Sequence, residues 1–551
     1  MLKEEQISGK VLDHLGLVAS TIKKIGLIDL IDERLPVSES KGAKVSMGNR
    51  VAAMIINALG FMDTRLYMFS DFLENKPIER FFQKGITHKD FTDDSLGRAL
   101  DAIYDYGTTS LFSQIAFSIG KSQNLLGKNA HCDTTTLSVY GDYEQKEEER
   151  SGGDGKAPEV TYGYSKARRP DLKQVVLHLA TTGAAGMPIW MESHAGNASD
   201  QKVLKEAALR MQDFCQKIEE GPSFLYVADS AMYPSCLKDA EGLIWLSRVP
   251  ERLKKAKEIV EKPDDAFEWV NLKEGYRICV MEKKYRGIQQ RWCLVSSAQA
   301  LARGEKSLNR NIAQEKEVGE KNIWHLSCKQ FACEKDALNE AEKHKKAFKY
   351  HIFSGEVVPI QKYEKKGRPE KNATKKVVGY QFLGKITEDK EKIARMKRAK
   401  GRFILATNQL DKTALPDDAM LSEYKLQSKT ESGFRFIKDN TFEVSSIFLK
   451  TPSRISALMM VMTLTLMVYS IAQHQLRKAL EKNNQIILGP EKRVMKKPSL
   501  KYLFKLFQGI QLVKITTNSF TQELVINLKS INKTIIGYFG EHAASIYDLS
   551  G

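Results

Sequence analysis

Asn129-Ala130-His131-Cys132-Asp133-Thr134-Thr135-Thr136-Leu137-Ser138-Val139-Tyr140 is the stretch on which the reading of this chain turns. It is rich in β-branched residues and is closed by Gly141-Asp142, so it reads as a strand carrying an acid near its middle. A second acid, Asp229, ends Phe224-Leu225-Tyr226-Val227-Ala228, a short apolar run of the kind buried in a sheet. An unpaired carboxylate beside such a run is costly to desolvate unless something cationic compensates it. A lone acid at a strand end is commonly a turn or cap residue; two of them suggest a shared task.

The intervening sequence supplies neighbours for both strands. Lys173 to Thr182 reads as a strand, Gly183-Ala184-Ala185-Gly186 as a turn, and Met187 to Glu192 as the returning strand. Ser199 to Glu219 reads as a helix with Val203, Leu204, Ala207, Ala208 and Met211 on one side, and Leu243 to Arg248 as a further strand. Three antiparallel strands, a helix and further strands, with acids on the first and fourth, match the order of an RNase H-like sheet. That match is an analogy of fold and carries no activity by itself.

A third acid lies in Tyr424-x2-Gln427-x3-Glu431-x3-Arg435-x2-Lys438. On an α-helix those spacings gather the five polar side chains into a stripe roughly 80° wide. Leu426, Phe434 and Ile437 fall on a neighbouring face suited to burial. A phenol, an amide, a carboxylate, a guanidinium and an ammonium in one row suit a helix that holds metal and phosphate together. A solvated helix with Glu–Lys and Glu–Arg pairs has the same spacing.

The chain has 551 residues, enough for about three or four domains. Its 85 Lys+Arg against 68 Asp+Glu leave a formal charge of +17, which predicts a polyanionic partner, most simply nucleic acid. Seven scattered cysteines, with no CxxC pair, argue against a disulfide framework or a structural zinc site. The N-terminus lacks a signal-peptide pattern, so a cytoplasmic location is expected. Ile455 to Ala472 is ~18 residues without a charge, the length of a membrane span. A helix buried on all sides gives the same signature, and it is the expectation here, with no membrane partner.

The expected organisation is α/β. Residues 1–125 form a helical region for DNA or subunit contact, with helices at Val51 to Phe61 and Leu96 to Tyr106. Residues 126–250 form the first part of the core, with Asp133 and Asp229. Residues 251–400 form a strand-containing insertion, 401–480 the second part of the core with Glu431, and 481–551 a helical, basic C-terminal region. Lys365-Lys366-Gly367-Arg368-Pro369-Glu370-Lys371 resembles a minor-groove hook, although a solvated basic loop has the same composition.

With these residues assembled, the chain resembles the DDE transposases of bacterial insertion sequences, in the branch with an RNase H-like core interrupted by a strand-rich insertion. The stretches YGYSKARRPDLKQVVLHL, GMPIWMESHAGNASD and LYVADSAM look like that family's core strands. Its Tyr-x2-Arg-x3-Glu-x6-Lys signature falls on Tyr424, position 427, Glu431 and Lys438, with Gln427 in place of the arginine. Lys425, Lys429 or Arg435 would be left to supply the missing charge.

The resemblance implies that Asp133, Asp229 and Glu431 are the catalytic and metal-binding residues. Tyr424, Lys438 and Arg435 would be DNA phosphate contacts, and Mg²⁺ the cofactor, with Mn²⁺ able to substitute. The implied activity is Mg-dependent cleavage of transposon ends and strand transfer into target DNA. The partners would be double-stranded DNA, as terminal inverted repeats and target, and a second copy of the chain. The family's base-stacking tryptophan would be one of Trp269, Trp292 and Trp324. Two rivals remain: an inactive, transposase-derived DNA-binding protein, and an RNase H-like nuclease without strand transfer.

Overall fold

A computed structural model describes residues 7–37, 44–60, 69–141, 143, 151–166, 168–219, 221–233, 242–363, 374–438, 449, 451–489, 493–517 and 520–549. The chain divides into two compact units, residues 1–247 with 422–551, and residues 248–421. The minor-groove-like stretch at Lys365 to Lys371 and most of the acidic loop at Asp142 to Lys156 lie outside the described residues.

The strands of the first unit include β1 (Ile7–Val11), β2 (Asn129–Val139), β3 (Lys173–Thr182), β4 (Met187–Ala195), β5 (Leu225–Ala228) and β6 (Trp245–Arg248). Five of them run in the order β4-β3-β2-β5-β6. β2 pairs antiparallel with β3, and β3 with β4, while β2–β5 and β5–β6 are parallel, so the sheet is mixed. The β3–β4 hairpin turns through Gly183 (φ +67°) and Gly186 (φ +62°), conformations that glycine adopts without a Cβ clash. Val175, Leu177, Leu179, Ile189 and Met191 are buried, so the hairpin contributes to the core although β4 is the outermost strand of the sheet.

Helices α1 (Leu15–Lys24), α2 (Leu27–Arg34), α3 (Met47–Ala58), α4 (Asp93–Tyr106) and α5 (Thr108–Ser122) precede β2, and α6 (Asp200–Lys217) joins β4 to β5. The Thr92 hydroxyl caps α4 by accepting from the Ser95 N–H (3.2 Å), the role its polar cluster announces.

In the second unit β7 (Val270–Asn271), β8 (Tyr276–Tyr285), β9 (Ile288–Ser297) and β12 (Arg402–Thr407) pair in the order β12-β9-β8-β7. A long hairpin, β10 (His351–Tyr363) with β11 (Lys375–Glu388), packs Phe353 and Phe382 against Ile323, Leu326 and Ala341. Those last residues belong to α7 (Ala298–Ser327) and α8 (Glu334–Lys345), and α9 (Lys390–Ala399) follows the hairpin. At 30 residues α7 dominates this unit. The strand-like composition of 251–400 hides it, because most of its surface is charged and only Leu308, Ile312, Gly319, Ile323 and Leu326 are buried.

The remaining elements return to the first unit. They include α10 (Ala419–Lys425), which straddles the division, α11 (Ser428–Ile437) and α12 (Pro452–Lys482). The apolar run at Ile455 to Ala472 lies within α12, most of whose apolar window is buried inside the chain. It packs against β4, α1, α3, α4, α5 and α11. Met459, Met460, Leu464 and Met467 are fully buried, each contributing about 1.5–3 kcal/mol. Arg454 at its start pairs with Asp101 of α4 (2.8 Å), tying the N-terminal helices to this one.

One expectation is corrected at the C-terminus, which is not wholly helical. β13 (Gln511–Thr516) and β14 (Thr521–Ile526) pair with β1 in a three-stranded sheet, order β1-β13-β14. Gln-Leu-Val-Lys-Ile-Thr alternates apolar and polar residues at period two, a strand signal that the neighbouring Leu503/Phe504/Phe507 stripe obscures.

Gly48 tests the packing of α2 on α3. Helix propensity alone makes Gly→Ala stabilising by about 0.5–1 kcal/mol. A Cβ at Gly48, however, would run into the Ile28 carbonyl oxygen, which is backbone and cannot swing aside. Gly48→Ala should therefore lower the urea midpoint rather than raise it.

Candidate active site

Strand register brings the first two acids together. The parallel ladder runs Asn129↔Leu225, Ala130↔Tyr226, His131↔Val227 and stops. The ladder ends two residues short of Asp133 and of Asp229, which lies just past the last residue of β5, so continuing its register would set the two acids opposite each other. Asp229 leaves the sheet there, its carboxylate accepting from the Ala231 N–H (2.9 Å) and its carbonyl from the Ser247 hydroxyl (2.6 Å). Asp133 is half-buried; Asp229 is exposed.

The third acid arrives on α11, held against β2 by hydrogen bonds rather than by apolar contact alone. Gln427 donates to the Cys132 carbonyl (3.3 Å) and Thr430 to the His131 carbonyl (3.3 Å), with Thr430 also meeting the Thr181 hydroxyl (2.6 Å). Lys429 donates to the carbonyls of Gly183 (3.2 Å) and Ala184 (3.0 Å) in the β3–β4 turn. With Phe434 and Ile437 buried beneath it, the helix leaves Glu431 and Arg435 exposed.

The single polar stripe expected from Tyr424 to Lys438 is corrected here. α10 ends at Lys425 and α11 begins at Ser428, so Tyr424 sits on a different helix from Glu431. Nothing in Leu426-Gln427 breaks a helix locally; Gln427 is buried and its side chain is engaged with β2. Lys429 is likewise committed to the hairpin turn, and Arg435 donates to the Ser432 hydroxyl (3.2 Å).

Electrostatics tie the acids into one group. Burial pushes the Asp133 carboxyl up to about 6, against the opposing pull of the Thr134 N–H and the Lys166 ammonium, and the charges of Asp229 and Glu431 push it further the same way. Burial lowers the Lys438 ammonium, Lys166 adds to that, and Asp133 opposes it. Asp133, Asp229, Glu431, Lys166 and Lys438 therefore share one field. Tyr424 is half-buried at the end of α10.

Residues 132–468, more than half of the chain, match the family described as Transposase DDE domain. The chain belongs to that family. Residues 7–117 of this DDE transposase match a domain of unknown function, DUF4277. Among solved structures, a cryo-EM synaptic complex of piggyBac transposase with hairpin DNA is similar at 10% identity and a TM-score of 0.35, covering 90% of this chain and 78% of that one. No curated protein sequence matches. Membership makes this DDE transposase a DNA phosphoryl-transfer enzyme.

Lys166 is the site residue that sequence reasoning overlooks. Its ammonium donates to the Thr134 carbonyl (2.9 Å) and hydroxyl (3.0 Å) and pairs with Asp200 (3.1 Å), while Thr134 donates to the same Asp200 (2.7 Å). That clamp fastens the residue next to Asp133 to the first turn of α6. The YGYSKARRPDLKQ stretch looks like core strand, but β3 begins only at Lys173, and Lys166 lies in the loop before it. Of the three tryptophans, Trp292 is core, Trp269 stacks with Arg277 (4.5 Å) and Arg402 (5.6 Å), and Trp324 is exposed.

The donors suit a hard divalent cation, being carboxylate oxygens among which one buried acid is crowded by like charge. Among the described residues, no three His, Cys, Asp or Glu form a ready single-ion cage. Fit to metal therefore rests on charge and oxygen chemistry, with side-chain closure left to binding.

The raised Asp133 carboxyl has a testable sign. Its folded value of about 6 exceeds its ordinary 3.8, so the folded chain holds an extra proton between the two. Stability from this group is fully present below about pH 4 and is lost as pH rises through about 6. In metal-free protein, Asp133→Asn should raise unfolding stability at pH 7 by up to about 3 kcal/mol, the gain vanishing below about pH 4. Urea titrations across pH measure both.

Proposed function

We propose that this chain is an insertion-sequence transposase that cleaves the ends of its element and joins them to target DNA. The observation that carries the reading is the field that Asp229 and Glu431 exert on half-buried Asp133, at the end of the β2–β5 ladder. In this reading residues 126–250 and 401–480 form an RNase H-like core, 251–400 its insertion, and the flanking segments contact DNA and a second copy of the chain. It works on inverted repeats in the cytoplasm.

Asp133, Asp229 and Glu431 would hold a pair of Mg²⁺ ions. Bound there, the ions would activate the entering oxygen and stabilise the leaving one in an in-line displacement at phosphorus. Lys438, half-buried beside Asp133, offers a positive charge to a phosphate oxygen of the cleaved strand. Lys166 has its donors engaged by Thr134 and Asp200 and holds the strand that carries Asp133. Gln427 anchors α11 rather than facing phosphate, so its departure from the family arginine leaves the acids undisturbed. Tyr424 and Arg435 are proposed as outer contacts to the DNA backbone.

Asp133→Asn, Asp229→Asn and Glu431→Gln should each reduce Mg²⁺-dependent end cleavage by about three orders of magnitude or more, as loss of an electrostatic transition-state contact does, with DNA binding retained. Mg²⁺ should raise the melting temperature of the parent and not that of Asp133→Asn. Cleavage within a few-fold of the parent by any of the three would remove that residue from the site.

A further inference from the structure

The loop before β3 is held firmly yet turns its largest side chains outward. Thr161 and Gln174 exchange backbone hydrogen bonds (3.3 and 2.9 Å), and the Gln174 amide donates to the carbonyls of Tyr164 (3.3 Å) and Gly196 (2.7 Å). Gly163 has no room for a Cβ beside the Gly196 carbonyl. Lys166 is bound to Thr134 and Asp200. Ser165 accepts from the N–H groups of Arg168 (3.1 Å) and Arg169 (3.0 Å) through its carbonyl and hydroxyl. Arg168, a non-glycine residue, sits at φ +58°, a conformation that costs about 1 kcal/mol or more.

What this frame presents is Tyr162, 57% exposed, Tyr164, 88% exposed, and exposed Arg168. Arg169 is also exposed but pairs with Asp171 (2.6 Å). Two exposed rings followed by an exposed cation match a nucleic-acid strand, whose bases offer faces for stacking and whose phosphates offer charge. The loop is fastened one residue from Asp133, and its Lys166 charge is felt there.

We propose that Tyr162, Tyr164 and Arg168 grip the DNA strand that leads into the acid group, with Tyr164 stacking on an unpaired base and Arg168 on a phosphate. The proposal rests on the catalytic reading for which strand is meant. The occupant is DNA, as the charge of +17 and the family membership favour.

The test uses full-length protein and a DNA duplex with one frayed end carrying a fluorescent purine analogue. Tyr164→Ala should weaken binding about tenfold and abolish the fluorescence change, whereas Tyr164→Phe keeps the ring and both signals. Arg168→Ala should lower the slope of log affinity against log salt by about one. Unchanged affinity, fluorescence and slope in both alanine variants would overturn the proposal. So would loss of self-association in sedimentation with DNA binding intact, or equal weakening on an RNA duplex with no change on DNA. Because every readout is binding, these results stand apart from cleavage: an Asp133→Asn protein that still cleaves sinks the catalytic reading without touching them.

Discussion

A short parallel ladder that ends too soon governs this molecule. β5 hydrogen-bonds to β2 for three residues and then turns away, leaving Asp133 without a strand neighbour on that side and within the field of a second carboxylate. Burial makes the Asp133 carboxyl resist ionisation, and the charges of Asp229 and Glu431 push the same way. Such an arrangement survives only because the surrounding structure is rigid. β3 pairs with β2 through the whole of Ala130 to Val139, and the Lys166–Thr134–Asp200 clamp fastens the free edge.

Delivery of Glu431 depends on polar anchoring. Gln427, Lys429 and Thr430 all donate to backbone carbonyls of the sheet and its turn, and each such buried bond, left unmade, would cost about 1–3 kcal/mol. A helix held only by apolar contact could slide along its ridge; one tied to specific carbonyls cannot. The same bonds explain why Gln427, at the family's arginine position, and Lys429, a candidate to replace that charge, are occupied elsewhere. α12 then carries this order outward, since it packs on β4, α11 and the N-terminal helices together. The N-terminal region is therefore part of the first unit's packing, not an appendage to it.

Much of the core was legible in advance because it obeys local rules. The β3 strand, its Gly-rich turn and the returning strand were visible from alternation and turn chemistry, and α4 from its Thr-Asp-Asp-Ser cap. Harder features violate those rules. The α10–α11 break has no glycine or proline to announce it, α7 shows few buried residues to set a period, and the C-terminal strands sit beside an apolar helix whose stripe dominates the eye.

By itself the sequence determined the identity of the acids and their flanks: two carboxylates at strand-like runs, one on a polar helix, and an excess of positive charge awaiting a polyanion. Only tertiary structure decided that the three acids share one field, that Lys166 and Lys438 join them, and that Gln427 and Lys429 are engaged elsewhere. The physical reason is range. Side-chain period and turn chemistry act over a few residues, whereas desolvation and Coulomb interaction depend on distances that pairing between strands remote in the chain must first create.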